Sequence, residues 1–254
     1  MTHITSPKNP RLKTLRRLRG RRERDRSGRF LVEGEDLIAA AGAAGRPALE
    51  GYRLAGSGLG ENDFFDVERS ALGAVSTLGS STRVLAVYEQ HWATAVGPLC
   101  VYLHGIADPG NVGTILRSAQ AFGASCVALG PGCADPHSPK AVRASMGAIF
   151  AVALAHVTDA RDARELPGER IALRADARES LRALAGEAGA QPITLLVGAE
   201  REGLPADVVA ACERSARIPI ASESLNAAMA ATVALYEITR GRSDAPRSSR
   251  VRTS

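Results

Sequence analysis

The segment PLCVYLHGIADPGNVGTILRSAQAFGAS, residues 98–125, decides the fold. It begins with a β-rich apolar run, turns at Asp-Pro-Gly, and continues from Asn111 to Ser125 with the apolar spacing of a buried helix. This order predicts a strand, a tight turn and a helix. Arg117 falls inside that helix, where a guanidinium without a partner would be costly in a core. Its presence indicates either a side chain that reaches solvent or a functional group.

Apolar strands and helices alternate from here almost to the end of the chain. Further strands are predicted at CVALG, IALRAD and PITLLVGAE, and the segment AVRASMGAIFAVALAHV combines a helix with a strand. Further helices are predicted at ESLRALAGEAG, PADVVAACERSA and SLNAAMAATVALYEITRG. This alternation is typical of an α/β fold with a mostly parallel sheet covered on both faces.

The residues before this region predict a second, smaller α/β module. The segments FLVEGEDLIAAAGAAG, ALEGYRLAG and STRVLAVYEQ read as a strand leading into a helix and two short strands. We therefore predict one domain over residues 1–95, with HWATAVGP as the linker, and a second over residues 96–242. Residues 243–254 are predicted to be a disordered basic tail because they lack apolar side chains.

Charge and composition narrow the class of partner. The 254 residues carry a formal net charge of +5, and the segment PKNPRLKTLRRLRGRRERDRSGRF holds a dense run of Lys and Arg. Leu12, Leu15 and Leu18 recur there at helical spacing, so an amphipathic basic helix that contacts phosphates is predicted. A solvated charged face, or a bias towards Arg across the whole chain, would give a similar pattern.

Cysteine usage and hydropathy favour a cytoplasmic protein without a metal. The four cysteines form no Cys-x-x-Cys pair, and no His completes a zinc site with them, so they are predicted to be reduced thiols. No apolar run approaches the roughly 20 residues of a membrane helix, and the N-terminus lacks the apolar segment of a signal peptide.

Three strand ends carry polar turns that contain glycine. Ligands of open α/β sheets bind at the carboxyl ends of strands, which makes GIADPGNVGTILR, LLVGAEREGLP and RIPIASESLNAAMA the candidate site. In the first, Asn111 is predicted to cap the helix, and the glycines do not have the GxGxxG spacing of a dinucleotide fold. Taken singly, Ser224 reads as a helix cap and Glu200 as a carboxylate of a surface turn.

These segments resemble the three motifs of the SpoU (TrmH-like) branch of the SPOUT RNA methyltransferases. The matching residues are Asn111, Gly113, Ile115, Arg117 and Ala119, then Gly198, Glu200, Gly203 and Leu204, then Ile218, Pro219, Ser224, Leu225 and Asn226. SPKAVRASMGAIF and the N-terminal ITSPKNPRLK and GRFLVEGEDLI also resemble the family. The third motif departs from it, because only ASE separates IPI from SLN and AAMA follows Asn226.

The resemblance implies a fold and a set of site residues. It implies a C-terminal SPOUT domain with a deep trefoil knot, an L30e-like N-terminal RNA-binding domain, and a homodimer formed through the knot domain. S-adenosyl-L-methionine would bind at Gly198, Ile218 and Leu225. The catalytic residues implied are Arg117, Asn111, Glu200, Ser224 and Asn226. The residues that we predict to contact RNA are Lys8, Arg11, Lys13, Lys140, Arg143 and Arg201.

The resemblance also implies a reaction, the transfer of a methyl group to a ribose 2′-hydroxyl of structured RNA. We expect 23S rRNA first and tRNA second. Arginine stays protonated with a pKa above about 12, so we expect Arg117 to clamp a phosphate and stabilise a developing alkoxide. The family proposal that it acts as a base stays open. The alternative from another class is a non-catalytic RNA-binding protein with a degenerate knot domain, which the short third loop would favour.

Overall fold

A computed structural model describes the chain at residues 3–61, 63–77, 82–187, 191–221 and 224–244. The tail predicted over residues 243–254 lies outside these ranges, apart from the backbone of residues 243 and 244. Within the described ranges, no helix has both the length and the apolar character needed to cross a membrane.

The N-terminal module is a five-stranded mixed sheet with helices. Its strands are β1 (His3–Ile4), β2 (Arg29–Glu33), β3 (Glu50–Leu54), β4 (Phe65–Val67) and β5 (Val84–Glu89), in the order β1-β4-β3-β5-β2. Its helices are α1 (Pro10–Arg17), α2 (Arg21–Ser27), α3 (Glu35–Ala43) and α4 (Arg69–Gly73). β5 runs antiparallel to β2 and β3, whereas β4 is parallel to both of its neighbours.

The predicted basic helix is confirmed as α1. Asn9 caps it by accepting a hydrogen bond from the backbone N–H of Arg11 at 2.9 Å, and Pro10 occupies the first helical position. The three leucines spaced along it, Leu12, Leu15 and Leu18, are all buried. Their burial leaves the basic side chains on the outer face of the helix, as an amphipathic helix requires.

The second module is a seven-stranded sheet in which every strand pair is parallel. Its strands are β6 (Leu99–Leu103), β7 (Cys126–Leu129), β8 (Ala153–His156), β9 (Glu169–Leu173), β10 (Glu179–Ser180), β11 (Ile193–Val197) and β12 (Arg214–Arg217), in the order β10-β12-β9-β11-β6-β7-β8. Its helices are α5 (Pro109–Ala121), α6 (Pro139–Ser145), α7 (Ala148–Ala151), α8 (Leu181–Glu187), α9 (Ala206–Ala210) and α10 (Ala227–Asp244), and a 3-10 helix spans Ala160–Glu165. The predicted α/β fold with a parallel sheet is confirmed.

Every residue of the central strands β6 and β11 is buried, which is why both read as unbroken apolar runs. The two modules also share one hydrophobic cluster, in which Phe30 and Tyr88 of the first module meet Phe150 of the second. The predicted linker at residues 91–98 lies against the sheet, because Ala93 forms a parallel bridge with Ala155. The segment predicted as the linker is therefore packed against the second module.

Two local predictions are wrong. The helix predicted over residues 205–216 ends at Ala210, and β12 follows, because Arg214 to Ala216 pair with β9 in parallel register. Arg214 also forms ion pairs with Glu179 and Glu187, so tertiary pairing outweighs local helix preference there. The cap of α5 is Asp108 and not Asn111, because the Asp108 carboxylate accepts hydrogen bonds from two backbone N–H groups of the first turn.

Candidate active site

The three polar turns predicted from the sequence meet at the carboxyl edge of the parallel sheet. The turn after β6 leads into α5 and carries Asn111, the turn after β11 carries Glu200, and the segment after β12 ends at Asn226. β11 lies between β6 and β9, and β12 pairs with β9, so their carboxyl ends point to the same side. The sheet order brings together residues that are more than a hundred positions apart in the sequence.

A hydrogen-bonded cluster joins the turns, and we call Asn111, Glu200 and Asn226 the strand-end cluster. Glu200 Oε1 accepts hydrogen bonds from Asn111 Nδ2 at 3.1 Å, from Asn226 Nδ2 at 2.7 Å and from the backbone N–H of Ala227 at 3.2 Å. Asn226 Nδ2 also lies 3.2 Å from Asn111 Oδ1. One carboxylate oxygen thus holds three segments together.

The cluster also begins the last helix. Asn226 Oδ1 accepts hydrogen bonds from the backbone N–H groups of Ala228 and Met229, at 3.0 and 3.3 Å, so Asn226 caps α10. The N-terminus of this 18-residue helix carries partial positive charge, which favours the neighbouring Glu200 carboxylate. Glu200 Oε2 makes no hydrogen bond with any described residue, so this oxygen is open to a ligand.

A cavity of about 910 Å³ lies beside the cluster. Six of the residues predicted from the sequence line it, namely Gly198, Glu200, Arg201, Ile218, Ser224 and Leu225. Gly198 is required by the close approach of two backbone segments, because a Cβ at this position would lie 2.2 Å from the carbonyl carbon of Gly203. The wall thus combines backbone, apolar side chains and a carboxylate, as in a pocket for a small polar ligand with an apolar part.

The cavity has a fourth wall that the sequence analysis missed. Leu173, Arg174 and Asp176 line it from the end of β9, and Arg174 Nη2 donates to Asp176 Oδ2 at 2.6 Å. The signal was present, because IALRAD ends in polar residues as the other three strands do. These polar residues reach the cavity because β9 lies between β11 and β12, and the sequence does not give this strand order.

Asp108 is a second residue that the sequence analysis missed. Its Oδ1 accepts hydrogen bonds from the backbone N–H groups of Gly110 and Asn111, at 2.6 and 3.0 Å, and its Oδ2 pairs with Lys140 Nζ at 2.6 Å. The hydrogen bond from Lys140 is the main reason why the pKa of Asp108 lies below its ordinary value. Asp108 therefore fixes the turn that carries Asn111.

Arg117 lies apart from the cavity wall. It lies six positions after Asn111, and at 100° per residue the two side chains point about 120° apart around α5. The Arg117 side chain is exposed, and it forms no hydrogen bond or ion pair with the part of the chain that the structure describes. The described chain thus brings Asn111, Glu200 and Asn226 together but leaves Arg117 on an open face of the same helix.

The residues predicted to contact RNA are all exposed. Arg11 lies 3.4 Å from Glu50 and 4.6 Å above the ring of Phe65, whereas Arg143 Nη2 donates to Thr77 Oγ1 at 2.9 Å. Lys140 pairs with Asp108 as described above, and Arg201 lies on the cavity wall. The remaining two residues of this set are Lys8, just before α1, and Lys13, on α1.

Among the described residues, no group of three or more His, Cys, Asp or Glu side chains could hold a metal ion, and all four cysteines are free thiols.

A buried ion pair fixes the basic N-terminal helices to the second module. Arg24 of α2 reaches Asp135 at 2.7 Å through both Nε and Nη2, and only 4% and 9% of these two side chains are exposed. Arg24 Nη1 also donates to the carbonyl oxygens of Leu18 and Arg19. We call Arg24, Asp135 and the neighbouring His137 the junction cluster.

Comparison with known proteins gives a consistent result for both modules. A model described as the SpoU rRNA Methylase family matches residues 98–236, and one described as an MRM3-like substrate binding domain matches residues 9–86. The chain is 27% identical to the 23S rRNA (guanosine(2553)-2′-O)-methyltransferase RlmP of Bacillus subtilis, with 94% of this chain and 99% of RlmP covered.

Solved structures of two further proteins are similar over almost the whole chain. The AdoMet-bound rRNA methyltransferase of Sinorhizobium meliloti is 29% identical with a TM-score of 0.83, with 94% of this chain and 97% of that one covered. The SpoU methyltransferase AviRb of Streptomyces viridochromogenes, in complex with AdoMet, is 28% identical with a TM-score of 0.80, covering 93% and 99%. The likeness therefore includes both modules.

Proposed function

Because the chain belongs to the SpoU rRNA methylase family, we propose that it transfers a methyl group from S-adenosyl-L-methionine to a ribose 2′-hydroxyl of 23S rRNA. One observation carries this proposal: the strand-end cluster ties together three turns, and two of them, those at Glu200 and Ser224, line a single cavity of about 910 Å³. Its support outside the chain is that RlmP is a 23S rRNA 2′-O-methyltransferase and that two similar structures hold AdoMet.

The cavity fits S-adenosyl-L-methionine in size and chemistry. The close backbone approach at Gly198 leaves main-chain atoms facing the cavity, while Ile218 and Leu225 supply an apolar surface. Glu200 places a carboxylate at the rim, with Oε2 open to a cationic group. When bound, the cofactor supplies an activated methyl group on a positively charged sulfur.

The residues of the cluster orient the reacting groups. Asn111 and Asn226 fix the Glu200 carboxylate, and the exposed Ser224 hydroxyl on the cavity wall lies next to the segment that carries Asn226. Alignment of a nucleophile with a leaving group can contribute roughly 7–11 kcal/mol in ideal cases, so positioning is the main task of these side chains. Arg117 clamps an RNA phosphate and stabilises the ribose oxygen as it loses its proton.

In a homodimer, Arg117 of one copy would lie near the first cavity of the other copy. Met229, Val233 and Tyr236 recur on α10 at helical spacing and leave 63%, 37% and 50% of their surface exposed. α5 packs beside this face, since Ser118 Oγ lies 2.6 Å from Thr232 Oγ1 and Phe122 contacts Tyr236. A second copy packed on this apolar face of α10 would cover the face. The cavity of the second copy would then lie near Arg117 of the first. The trefoil knot, the domain division at residue 95 and the cytoplasmic location belong to the same proposal.

The direct test is methyl transfer from labelled S-adenosyl-L-methionine to purified 23S rRNA and to tRNA, followed by nuclease mapping of the labelled ribose. We expect a single 2′-O-methylated nucleotide in 23S rRNA. Labelling of tRNA alone would select the tRNA alternative. Binding of RNA without binding of S-adenosyl-L-methionine, measured by calorimetry, would instead select the non-catalytic alternative.

A further inference from the structure

A second cavity, of about 240 Å³, opens where the two modules meet. We propose that this cavity holds one unpaired nucleobase of the RNA, at a distance from the nucleotide that is methylated. The proposal rests on the proposed function, because it assumes an RNA substrate. It concerns a different part of the molecule, since none of the residues that line the first cavity line this one.

The floor of the cavity consists of buried rings. Phe30 and His137 are each only 2% exposed, with ring centroids 4.8 Å apart, and Phe150 lies 6.0 Å from Phe30. Nδ1 of His137 is buried, has no hydrogen-bond partner among the described residues, and lies 3.7 Å from Asp135 Oδ1. A floor of packed rings does not collapse when the cavity is empty, so the space is preformed for a flat group.

Trp92 forms a wall of the cavity and leaves 43% of its surface in solvent. Its ring lies 5.3 Å from that of His137, edge to face, and 5.3 Å from that of His156. These two contacts hold the indole in place without covering it. Proteins that bind unpaired RNA stack bases on aromatic side chains held in this way, because every base offers a π-face.

Arg46 supplies the charge that a nucleotide needs. Its side chain lines the cavity and forms no hydrogen bond or ion pair with any residue in the described ranges. A guanidinium without a partner beside an aromatic wall is suited to a phosphate next to a stacked base. A purely apolar occupant, such as a hydrophobic side chain of another protein, would leave this charge unused.

Glu89 also lines the cavity and would refine the specificity. Its carboxylate only accepts hydrogen bonds, and the one described side-chain nitrogen within 4.0 Å of it is Nε2 of His91. An exocyclic amino group, which adenine, cytosine and guanine carry, would satisfy this acceptor, as Glu does with cytosine N4. Uracil offers a carbonyl instead, so it should bind least well.

The volume and the position limit what can bind. At about 30 Å³ per water molecule, the cavity has room for roughly eight waters, which suits one base and excludes a duplex. It lies at the amino end of β8, whereas the first cavity lies at the carboxyl ends of β9 and β11. β8 is three strands away from β11, or about 14 Å sideways, so the base held here is several nucleotides from the target.

Trp92 is the single tryptophan of the chain, so its fluorescence reports on this cavity alone. We would titrate the full chain, without S-adenosyl-L-methionine, with hexaadenylate, hexacytidylate and hexauridylate. We expect saturable quenching by the first two and weaker binding of hexauridylate, and Glu89→Gln should reduce this difference. If anisotropy shows that labelled hexaadenylate binds while Trp92 fluorescence stays unchanged, the proposal is overturned.

Variants test the same cavity without relying on the fluorescence of Trp92. Trp92→Leu and Arg46→Ala should each weaken binding of labelled hexaadenylate roughly 10-fold or more, and Trp92→Phe should restore most of the affinity lost in Trp92→Leu. Arg182→Ala is the matched control, because Arg182 is an exposed arginine on α8, beside the opposite edge of the sheet, with no partner among the described residues. Equal losses in Arg46→Ala and Arg182→Ala would show general charge attraction and reject the cavity.

Base binding at this cavity and methyl transfer can be tested separately, so the failure of one proposal is distinguishable from the failure of the other. Should the chain bind hexaadenylate at Trp92 and transfer no methyl group, the proposed function fails and the base-binding cavity stands. Should methyl transfer proceed with an unchanged KM for RNA in Trp92→Leu and Arg46→Ala, the cavity proposal fails and the proposed function stands.

Discussion

The strand-end cluster and the junction cluster use the same kinds of side chain in opposite settings. Glu200 shares its carboxylate with two exposed amides, whereas Asp135 shares its carboxylate with a guanidinium that is almost fully buried. Exposed polar contacts contribute little net stability, while a buried charge that loses its partner is costly. The comparison teaches that the second cluster holds the modules together, whereas the first adds little stability and suits the role in methyl transfer that we propose for it.

The largest effect should come from breaking the junction cluster. Arg24→Ala leaves the Asp135 carboxylate buried without its guanidinium, and this should lower the free energy of unfolding by about 3–5 kcal/mol. Urea denaturation measures the change. Combining it with Asp135→Ala should cost less than the sum of the two single variants, because the second change removes the stranded charge. Strict additivity would show that the pair does not act as a unit.

The next effect should appear in catalysis and not in stability. Arg117→Ala should lower the single-turnover rate of methyl transfer about 100- to 1,000-fold, as expected when a group that stabilises developing charge is lost. Unfolding free energy should change by less than about 0.5 kcal/mol, because the side chain is exposed. Gln120→Ala, at another exposed position on α5, is the control and should retain the rate. A full rate in Arg117→Ala would remove this residue from the mechanism.

The third effect is a pH dependence of the free energy of unfolding, which Asp135 of the junction cluster should cause. Burial of Asp135 acts to raise its pKa, but His137 and Arg24 outweigh burial and hold the pKa at about 2. A carboxyl with a lowered folded pKa stabilises the protein above its unfolded pKa, about 3.9, and this stability is lost as the pH falls towards 2. We expect a loss of about 2 kcal/mol between pH 5 and pH 2.

Asp135→Asn provides the comparison for this pH dependence. The amide cannot ionise, so the variant should be less stable than the parent at pH 5, and the difference should narrow as the pH approaches 2. Denaturant unfolding at several pH values in this range measures both curves. Parallel curves for the two proteins would mean that other carboxyls account for acid unfolding.

The sequence predicts the strand-end cluster better than the junction cluster, for a physical reason. Strand ends of a parallel sheet must meet at one edge, so the sequence alone is enough to group the polar turns after β6, β11 and β12. The pairing of Arg24 with Asp135 joins residues 111 positions apart in two modules, and no periodicity marks either one. The sequence predicts too long a helix at α9, because the end of this helix is set by the pairing of β12 with β9. Arg117 and Glu200 belong to the same predicted set of catalytic residues, and only the structure shows that the rotation of α5 turns Arg117 away from Asn111 and Glu200.

The smallest effect tests whether local geometry at the strand-end cluster matters. Asp108 caps α5 through two backbone N–H groups, one of them that of Asn111, so Asp108→Ala should cost about 1 kcal/mol of stability. Because the same turn presents Asn111 to Glu200, methyl transfer should fall more than this cost suggests, with kcat affected and KM for S-adenosyl-L-methionine nearly unchanged. Asp108→Asn keeps the capping oxygen but loses the charge that pairs with Lys140, and it should recover most of the rate. If Asp108→Asn is as slow as Asp108→Ala, the pairing with Lys140 matters more than the cap, and the turn depends on charge instead of hydrogen bonding.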